Sequence, residues 1–189
     1  MAVTRYDQRK NYEEAEANAI GTEYIRVDLL PADSTVELHA LLKRYLDDRI
    51  TFYETRRQAE IDRLDADTEK LQADLWSAIL PAANAQPTAV RALAVSGMND
   101  VLNSRGYTQA AWWNRIPVAA WVLMELIAIS ANLLIGYSER RKVVHLIFVL
   151  PIIVSISFLL IADIDSPRGG IIRVLPQNLI ALSHSIKAQ

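Results

Sequence analysis

One acidic side chain interrupts a long apolar stretch of this sequence. Residues 116–137 carry a single charged residue, Glu125, among side chains that are otherwise apolar, small or uncharged. An ionisable group at the middle of a membrane is costly enough to demand a partner, a proton or a water-filled cavity. Asn132 follows seven residues later, which places both polar groups on one face of a helix. Glu125 and Asn132 therefore form a candidate intramembrane polar site, which serves either helix packing or an ion or proton pathway.

Other residue types that support chemistry are sparse or lack the required spacing. The three histidines, His39, His145 and His184, are far apart in the sequence and do not have the spacing of metal ligands. The chain has no cysteine, which excludes disulfides, thiolate zinc sites and cysteine nucleophiles. A Ser/His/Asp motif and a Gly-rich phosphate loop are also absent. We expect no catalytic residue, no metal and no cofactor.

Two apolar stretches, 116–137 and 143–162, predict a transmembrane hairpin. Each has the length of a helix that rises ~1.5 Å per residue and crosses ~30 Å of hydrocarbon. The second stretch contains fifteen Leu, Ile, Val or Phe residues, which favour insertion by roughly 4.5–9 kcal/mol. The first stretch is closer to balance because of Glu125, so we expect this side chain to turn inward in the hairpin. The alternative, a buried hairpin of a soluble protein, is disfavoured because two adjacent runs of this length are rare in small soluble domains.

The residues beside the stretches predict where the membrane surfaces lie. Amphipathic rings and basic side chains prefer the headgroup layer. The predicted interface anchors, just before the first stretch, are Trp112, Trp113 and Arg115. The turn between the stretches carries a dense basic cluster, and the positive-inside rule places it in the cytoplasm. These topology determinants are Arg140, Arg141 and Lys142. Residues 1–115 and the C-terminal tail are then expected on the outer side.

Residues 1–115 are predicted to form a helical extramembrane domain. A first helix runs from Tyr6 to Leu30, where Pro31 ends it. Its predicted inward residues are Ala15, Ala19, Tyr24 and Val27. Ser34 and Glu37 have the spacing of a capping box that starts the next helix. The first 96 residues hold 12 basic and 17 acidic side chains, a balance that argues against a nucleic-acid partner.

The middle of this domain has a helical pattern without a breaking residue. Gly and Pro do not occur between Glu37 and Pro81, so the interval holds one long helix or two helices broken near residues 54–57. Apolar residues recur there in a coiled-coil-like register that requires a partner helix. They are Ile50, Tyr53, Ile61, Leu64, Leu71, Leu75 and Ile79. Pro81 and Pro87 enclose a predicted loop, and Thr88 is a predicted cap of the following helix.

Residues 163–189 are predicted to form a C-terminal tail. In its turn-rich beginning, Asp163 and Asp165 either bind a cation or a lipid headgroup or cap the turn themselves. Pro176 is well placed as the first residue of a short amphipathic helix that ends near Ile186.

Four segments carry a family pattern when they are taken together and in order. They are EEAEANAIGTEYIRVDLLP at 13–31, ALLKRYLDDRITFYE at 40–54, NRIP at 114–117 and DSPRGGIIRVLP at 165–176. With these segments the chain resembles, over essentially its whole length, the bacterial bestrophin-like membrane proteins of unknown function. The resemblance implies four spans: an N-terminal hairpin, a helical extramembrane domain, and a second hairpin with a short tail. This sequence starts where the second span would end, so we expect the N-terminal hairpin to be missing from it.

The sequence as a whole predicts an all-α integral membrane protein of the plasma or inner membrane, with several spans. Its expected partners are the lipid bilayer and either further copies of the chain or other membrane helices. The predicted function is a membrane-anchored helical module for binding or assembly. The alternative is a subunit of an oligomeric anion channel, which the name of the resembled family implies and which Glu125 would suit.

Overall fold

The computed structural model describes residues 2–85, 87–138 and 144–188, and every long regular element in these ranges is an α-helix. The helices are α1 Ala2–Arg26, α2 Ala32–Glu54, α3 Gln58–Ala85, α4 Ala89–Trp113, α5 Val118–Ser138, α6 Val144–Asp165 and α7 Gln177–Lys187; a 3₁₀ turn, Val27–Leu29, follows α1. The predicted all-helical class is confirmed for the described residues.

The chain divides into two compact units. Asp7–Trp113 and Val174–Gln189 form the first, which we call the helical domain. Met1–Tyr6 and Asn114–Arg173 form the second, which we call the hairpin unit. The predicted C-terminal tail is therefore divided at residue 173, and α7 belongs to the helical domain.

The core of the helical domain lies between α2, α3 and α4. Each helix contributes apolar residues at spacings of three and four, which form one continuous face. These buried residues include Leu38, Leu42 and Leu46 of α2, Leu71, Leu75 and Ile79 of α3, and Met98 and Val101 of α4. The long interval forms two helices, because the backbone turns to an extended conformation at Thr55 and α3 then packs on α2. The partner of the predicted apolar register is therefore the neighbouring helix of the same chain.

Local breaks in the helices differ from the predictions at two places. The capping box is wrong, since α2 begins at Ala32 without a side-chain cap and Ser34 lies inside its first turn. The predicted loop at Pro81 is also wrong, because α3 continues to Ala85. Ala82 is buried, so the packing of this last turn outweighs the loss of one backbone hydrogen bond at the proline. Thr88 does cap α4, and its hydroxyl accepts a hydrogen bond from the Arg91 N–H at 3.2 Å.

Helix α7 covers part of α2. It follows Pro176, the residue from which the sequence predicts it. Its buried residues are Leu179, Ser183 and Ile186. Gly21 of α1 permits a close approach there, since a Cβ on this glycine would lie 2.9 Å from Leu182 Cδ1.

Helices α5 and α6 of the hairpin unit contact each other along one side only. Trp121 of α5 meets Phe158 of α6 edge to face, with ring centroids 6.5 Å apart. The other sides carry apolar residues that are exposed, among them Leu126, Leu133, Leu134, Ile153 and Leu159. Among the described residues, one stretch, Ala89–Tyr137, is long and apolar enough to contain a membrane span. Its apolar window contains no buried residue, so it lies after the buried Trp112, where α5 is.

Candidate functional site

Helix α1 buries a row of charged residues, which we call the polar stripe. Its members recur at spacings of four, three and seven residues, so they share one face of the helix. They are Arg9, Glu13, Glu16 and Glu23, and each is at most 2% exposed. Charged side chains are almost never buried unless they are paired.

Glu16 lies at the centre of a buried hydrogen-bond network. Arg49 of α2 donates from Nε to Glu16 Oε1 at 2.5 Å and from Nη2 to Oε2 at 3.3 Å. Tyr53 and Thr108 donate their hydroxyls to the same Oε2 at 3.2 and 3.1 Å. The carboxylate is thus bound in a bidentate, charge-assisted pair with additional donors. This network connects α1, α2 and α4 at one point.

The electrostatics of this network keep Tyr53 and Arg49 in their protonated states. Burial raises the pKa of Tyr53, and the Glu16 charge raises it further, so the phenol remains a hydrogen-bond donor. Burial alone would lower the pKa of Arg49, but the Glu16 carboxylate, Tyr45 and Tyr53 together raise it above its ordinary value. The guanidinium also lies over the Phe52 ring, 4.3 Å from its centroid. Neither group is suited to exchange protons near neutral pH, so the arrangement serves to position helices.

Two other members of the stripe bind helix ends. Glu13 accepts hydrogen bonds from the backbone N–H groups of Asn178 and Leu179 at 2.9 and 3.1 Å, and from the Asn178 side chain at 2.6 Å. A carboxylate at a helix N-terminus satisfies unpaired N–H groups and complements the helix dipole. Arg9 donates from Nε to the Ala111 carbonyl at 3.2 Å, in the last turn of α4. Helix α1 thereby holds both α7 and the end of α4.

The predicted interface anchors have different surroundings in the structure. Trp112 is only 5% exposed, and its ring lies 5.3 Å from Phe52 and 5.5 Å from Tyr53 between centroids. The prediction that Trp112 reaches a membrane surface is wrong, because the last turn of α4 packs this ring into the helical domain. Trp113 is 73% exposed and Arg115 is exposed as well; their role as anchors stays a prediction.

The candidate intramembrane pair is only partly brought together. Asn132 is half-buried, donates from Nδ2 to the Ala128 carbonyl at 2.7 Å, and lines a cavity of about 360 Å³ with Leu150 and Pro151 of α6. Glu125 is exposed, so the expectation that it turns toward α6 is not met within the hairpin unit. At 100° per residue the two side chains point roughly 20° apart on an ideal helix, yet only Asn132 lines the cavity with α6. The predicted topology determinants, Arg140, Arg141 and Lys142, lie outside the described residues.

The turn after α6 is closed by its own carboxylates. Asp163 accepts hydrogen bonds from the N–H groups of Ile171 and Ile172 at 2.7 and 2.8 Å, and these bonds lower its pKa. Asp165 accepts from the Ile116 N–H at 3.0 Å and from Arg5 at 3.4 Å. A Cβ at Gly170 would overlap the Asp163 carbonyl oxygen, so the turn requires a glycine there. Asp163 and Asp165 were predicted either to bind a cation or a lipid headgroup or to cap the turn. Their hydrogen bonds match the capping role.

The polar stripe was not predicted from the sequence. The residues predicted to face inward include Ala15 and Ala19, but Ala15 is exposed and Ala19 only half-buried. The buried face instead carries Glu13, Glu16 and Glu23. The signal was present, since the acids share the three-and-four spacing of the buried Ile20 and Val27. Apolar periodicity alone does not reveal this face, because its buried members are charged.

Comparison with known families identifies the chain. The bestrophin-like domain matches residues 1–179, nearly the whole sequence, so the chain belongs to the bestrophin-like family. The resemblance inferred from the four segments is thereby confirmed. Neither the curated proteins nor the solved structures contain a significant match.

Proposed function

We propose that this protein is a membrane-anchored helical assembly module. In this proposal α5 and α6 cross the membrane as a hairpin, and the helical domain stands in water beside the membrane and docks other helices of the same assembly. The observation that carries the proposal is the apolar surface of α5, whose span-length window contains no buried residue. In water such a surface would cost roughly 25 cal/mol for each Å² left exposed, whereas lipid removes this cost.

The way the polar groups are arranged supports the same reading. On α5 and α6, Asn132 and Ser157 direct their hydrogen bonds to carbonyls of their own helix, Ala128 and Ile153. This is how polar side chains are satisfied in hydrocarbon, where water is not available. Neither helix depends on solvent for these groups.

The charge of Glu125 is the reason to propose a further helix in the assembly. An ionised carboxylate that faces lipid costs ~2.5–3.5 kcal/mol at a helix centre. Glu125 is exposed, and it forms no ion pair with the described residues of the hairpin unit. A polar group from a second copy of the chain, or from another membrane helix, would remove this cost. The proposal therefore includes assembly within the membrane.

A first experiment tests anchoring and orientation together. The chain contains no cysteine, so Ala66→Cys, an exposed position of α3, and Glu139→Cys, which lies between the two predicted spans in the sequence, each introduce one unique label site. The protein should stay in the membrane pellet after alkaline carbonate extraction. An impermeant thiol reagent should label Ala66→Cys in intact cells. It should label Glu139→Cys only after the cells are lysed. Recovery of a folded, monodisperse protein from the high-speed supernatant without detergent would refute anchoring, and the reverse labelling would refute the orientation.

A subunit of an oligomeric ion channel is the second candidate function. The feature that favours it is the single carboxylate of Glu125 on an otherwise apolar helix, since such residues commonly mark ion pathways. Purified protein in liposomes would then conduct ions, and Glu125→Gln would change the flux without preventing assembly. Glu14→Gln, an exposed position of α1, is the matched control. Silent liposomes that contain a verified oligomer would leave the assembly module as the function.

A further inference from the structure

Glu23 differs from the other acidic members of the polar stripe because its carboxyl has no hydrogen-bond partner among the described residues. Its side chain is fully buried between α1 and α4, and neither Oε1 nor Oε2 accepts a hydrogen bond from the described residues. This contrasts with Glu13 and Glu16, whose oxygens receive several hydrogen bonds each. A carboxylate left in this state would carry the full cost of burying an unpaired charge. A protonated carboxyl avoids most of that cost.

The absence of a side chain at Gly97 leaves space for the Glu23 carboxyl. Gly97 of α4 lies directly against Glu23, and a Cβ at this position would overlap Glu23 Oε2. The same Cβ would lie 2.7 Å from Arg26 Nη1 and 3.1 Å from Arg26 Cδ. The carboxyl therefore lies in a recess that exists because residue 97 has no side chain.

The charged groups around the recess do not neutralise the carboxylate. On α1, Arg26 is near enough to favour the ionised form, and on α4, Asp100 opposes it. In the 3₁₀ turn, Asp28 is directed to His39 of α2, at 3.4 Å, and the His39 ring stacks on Tyr24. Burial has the largest effect and raises the pKa of Glu23 from 4.5 to about 8.

We propose that Glu23 is a proton-binding site of the helical domain, and that loss of its proton under alkaline conditions weakens the packing of α1 on α4 at Gly97. The ligand is a proton, and the site consists of the buried carboxyl, the recess at Gly97 and the two flanking charges of Arg26 and Asp100. In the folded domain this proton would be lost just above neutrality. This inference does not depend on the membrane hairpin.

The direction of the pH effect follows from the two protonation states. The pKa is higher in the folded state than in the unfolded state, so the folded state holds its proton more tightly. The resulting stability is fully present below about pH 4.5 and is lost as the pH rises toward about 8. Over that interval one proton is released on unfolding, so the unfolding equilibrium constant should rise about tenfold per pH unit from this group. Above the upper value the effect should level off.

The test compares the full chain with Glu23→Gln in detergent micelles. Unfolding in urea is followed by tryptophan fluorescence, to which the buried Trp112 contributes. The ratio of the wild-type unfolding constant to that of Glu23→Gln should rise about tenfold per pH unit between about pH 5 and 7.5 and then level off. Glu14→Gln is the control, and its ratio to the wild type should not show this rise. A flat ratio for Glu23→Gln between pH 5 and 9, with both proteins folded, overturns the proposal.

A second measurement does not require a variant. In the wild-type chain labelled with carbon-13 at the glutamate carboxyls, one resonance should titrate near pH 8. If every glutamate carboxyl of the folded protein titrates below pH 6, the proton site does not exist.

Discussion

The helical domain and the hairpin unit differ in the kinds of side chain that they bury and expose. The helical domain buries charges, with Arg9, Glu13, Glu16 and Arg49 all at most 2% exposed. The hairpin unit exposes apolar side chains, and Leu133 is 69% exposed. Helices fold in both units, so helix formation alone does not distinguish them. The proposed function accounts for this difference, since it places the first unit in water and the second in an apolar solvent.

The largest effect is expected where the buried charges meet. Arg49→Met leaves the Glu16 carboxylate buried beside only two hydroxyl donors, and the loss of one partner of such a pair costs about 3–5 kcal/mol of unfolding free energy. Urea unfolding of the protein in micelles measures this loss. Lys187→Met is the matched control, because its ion pair with Asp47 is at 3.8 Å and both side chains are more than half exposed, a kind of pair worth at most about 1 kcal/mol.

A double variant of Glu16 and Arg49 tests whether the unpaired charge causes this loss of stability. Replacing both partners, Glu16→Gln with Arg49→Met, should recover part of the loss, because no unpaired charge remains. If Arg49→Met alone unfolds the protein no more easily than Lys187→Met does, the network does not hold the helices together.

A smaller effect is expected at the recess between α1 and α4. Gly97→Ala should destabilise the helical domain by about 1–3 kcal/mol, because the added methyl group displaces Glu23 and Arg26. Gly106→Ala is a matched control on the same helix, since a Cβ there has nothing within 4 Å. Alanine favours helix over glycine by about 1 kcal/mol, so the control should become more stable. Equal shifts of the two thermal midpoints would contradict the close contact at Gly97.

The attachment of α7 to α1 should be weaker still. Glu13→Gln keeps an acceptor oxygen for the N-terminus of α7 but removes the charge that complements the helix dipole, a loss of about 1 kcal/mol or less. The change should appear as faster hydrogen exchange of the α7 amides while α2 and α3 exchange as before. Uniformly faster exchange across the helical domain would instead mean that Glu13 supports the whole core.

The smallest effect is expected on the outer face of the hairpin. Leu133→Ala should change stability in micelles by less than about 0.5 kcal/mol, since its side chain does not fill a protein core. Leu71→Ala, at 1% exposure in the helical domain, should cost about 2–5 kcal/mol. Similar losses for the two leucines would show that a core within the protein, rather than lipid, surrounds α5.

Much of the helical pattern follows from the sequence, because apolar periodicity reports which faces are buried. It predicts the buried register of α3, the cap at Thr88 and the short helix after Pro176. It does not predict that Pro81 lies within a helix or that Trp112 is buried, because in both cases tertiary packing overrides a local preference. The polar stripe was missed for a related reason. A buried charge is stable only through partners such as Arg49 or Asn178, which are distant in the sequence and become neighbours only in the folded chain.

In the proposed function, lipid surrounds α5 while water surrounds the helical domain. Two variants, each with a single tryptophan, Trp121 of α5 or Trp76 of α3, would be reconstituted into lipids that carry bromine along their acyl chains. If lipid surrounds α5, the brominated lipids should strongly quench Trp121 and should not quench Trp76. Quenching of Trp121 by aqueous iodide, with no effect of the brominated lipids, would contradict it.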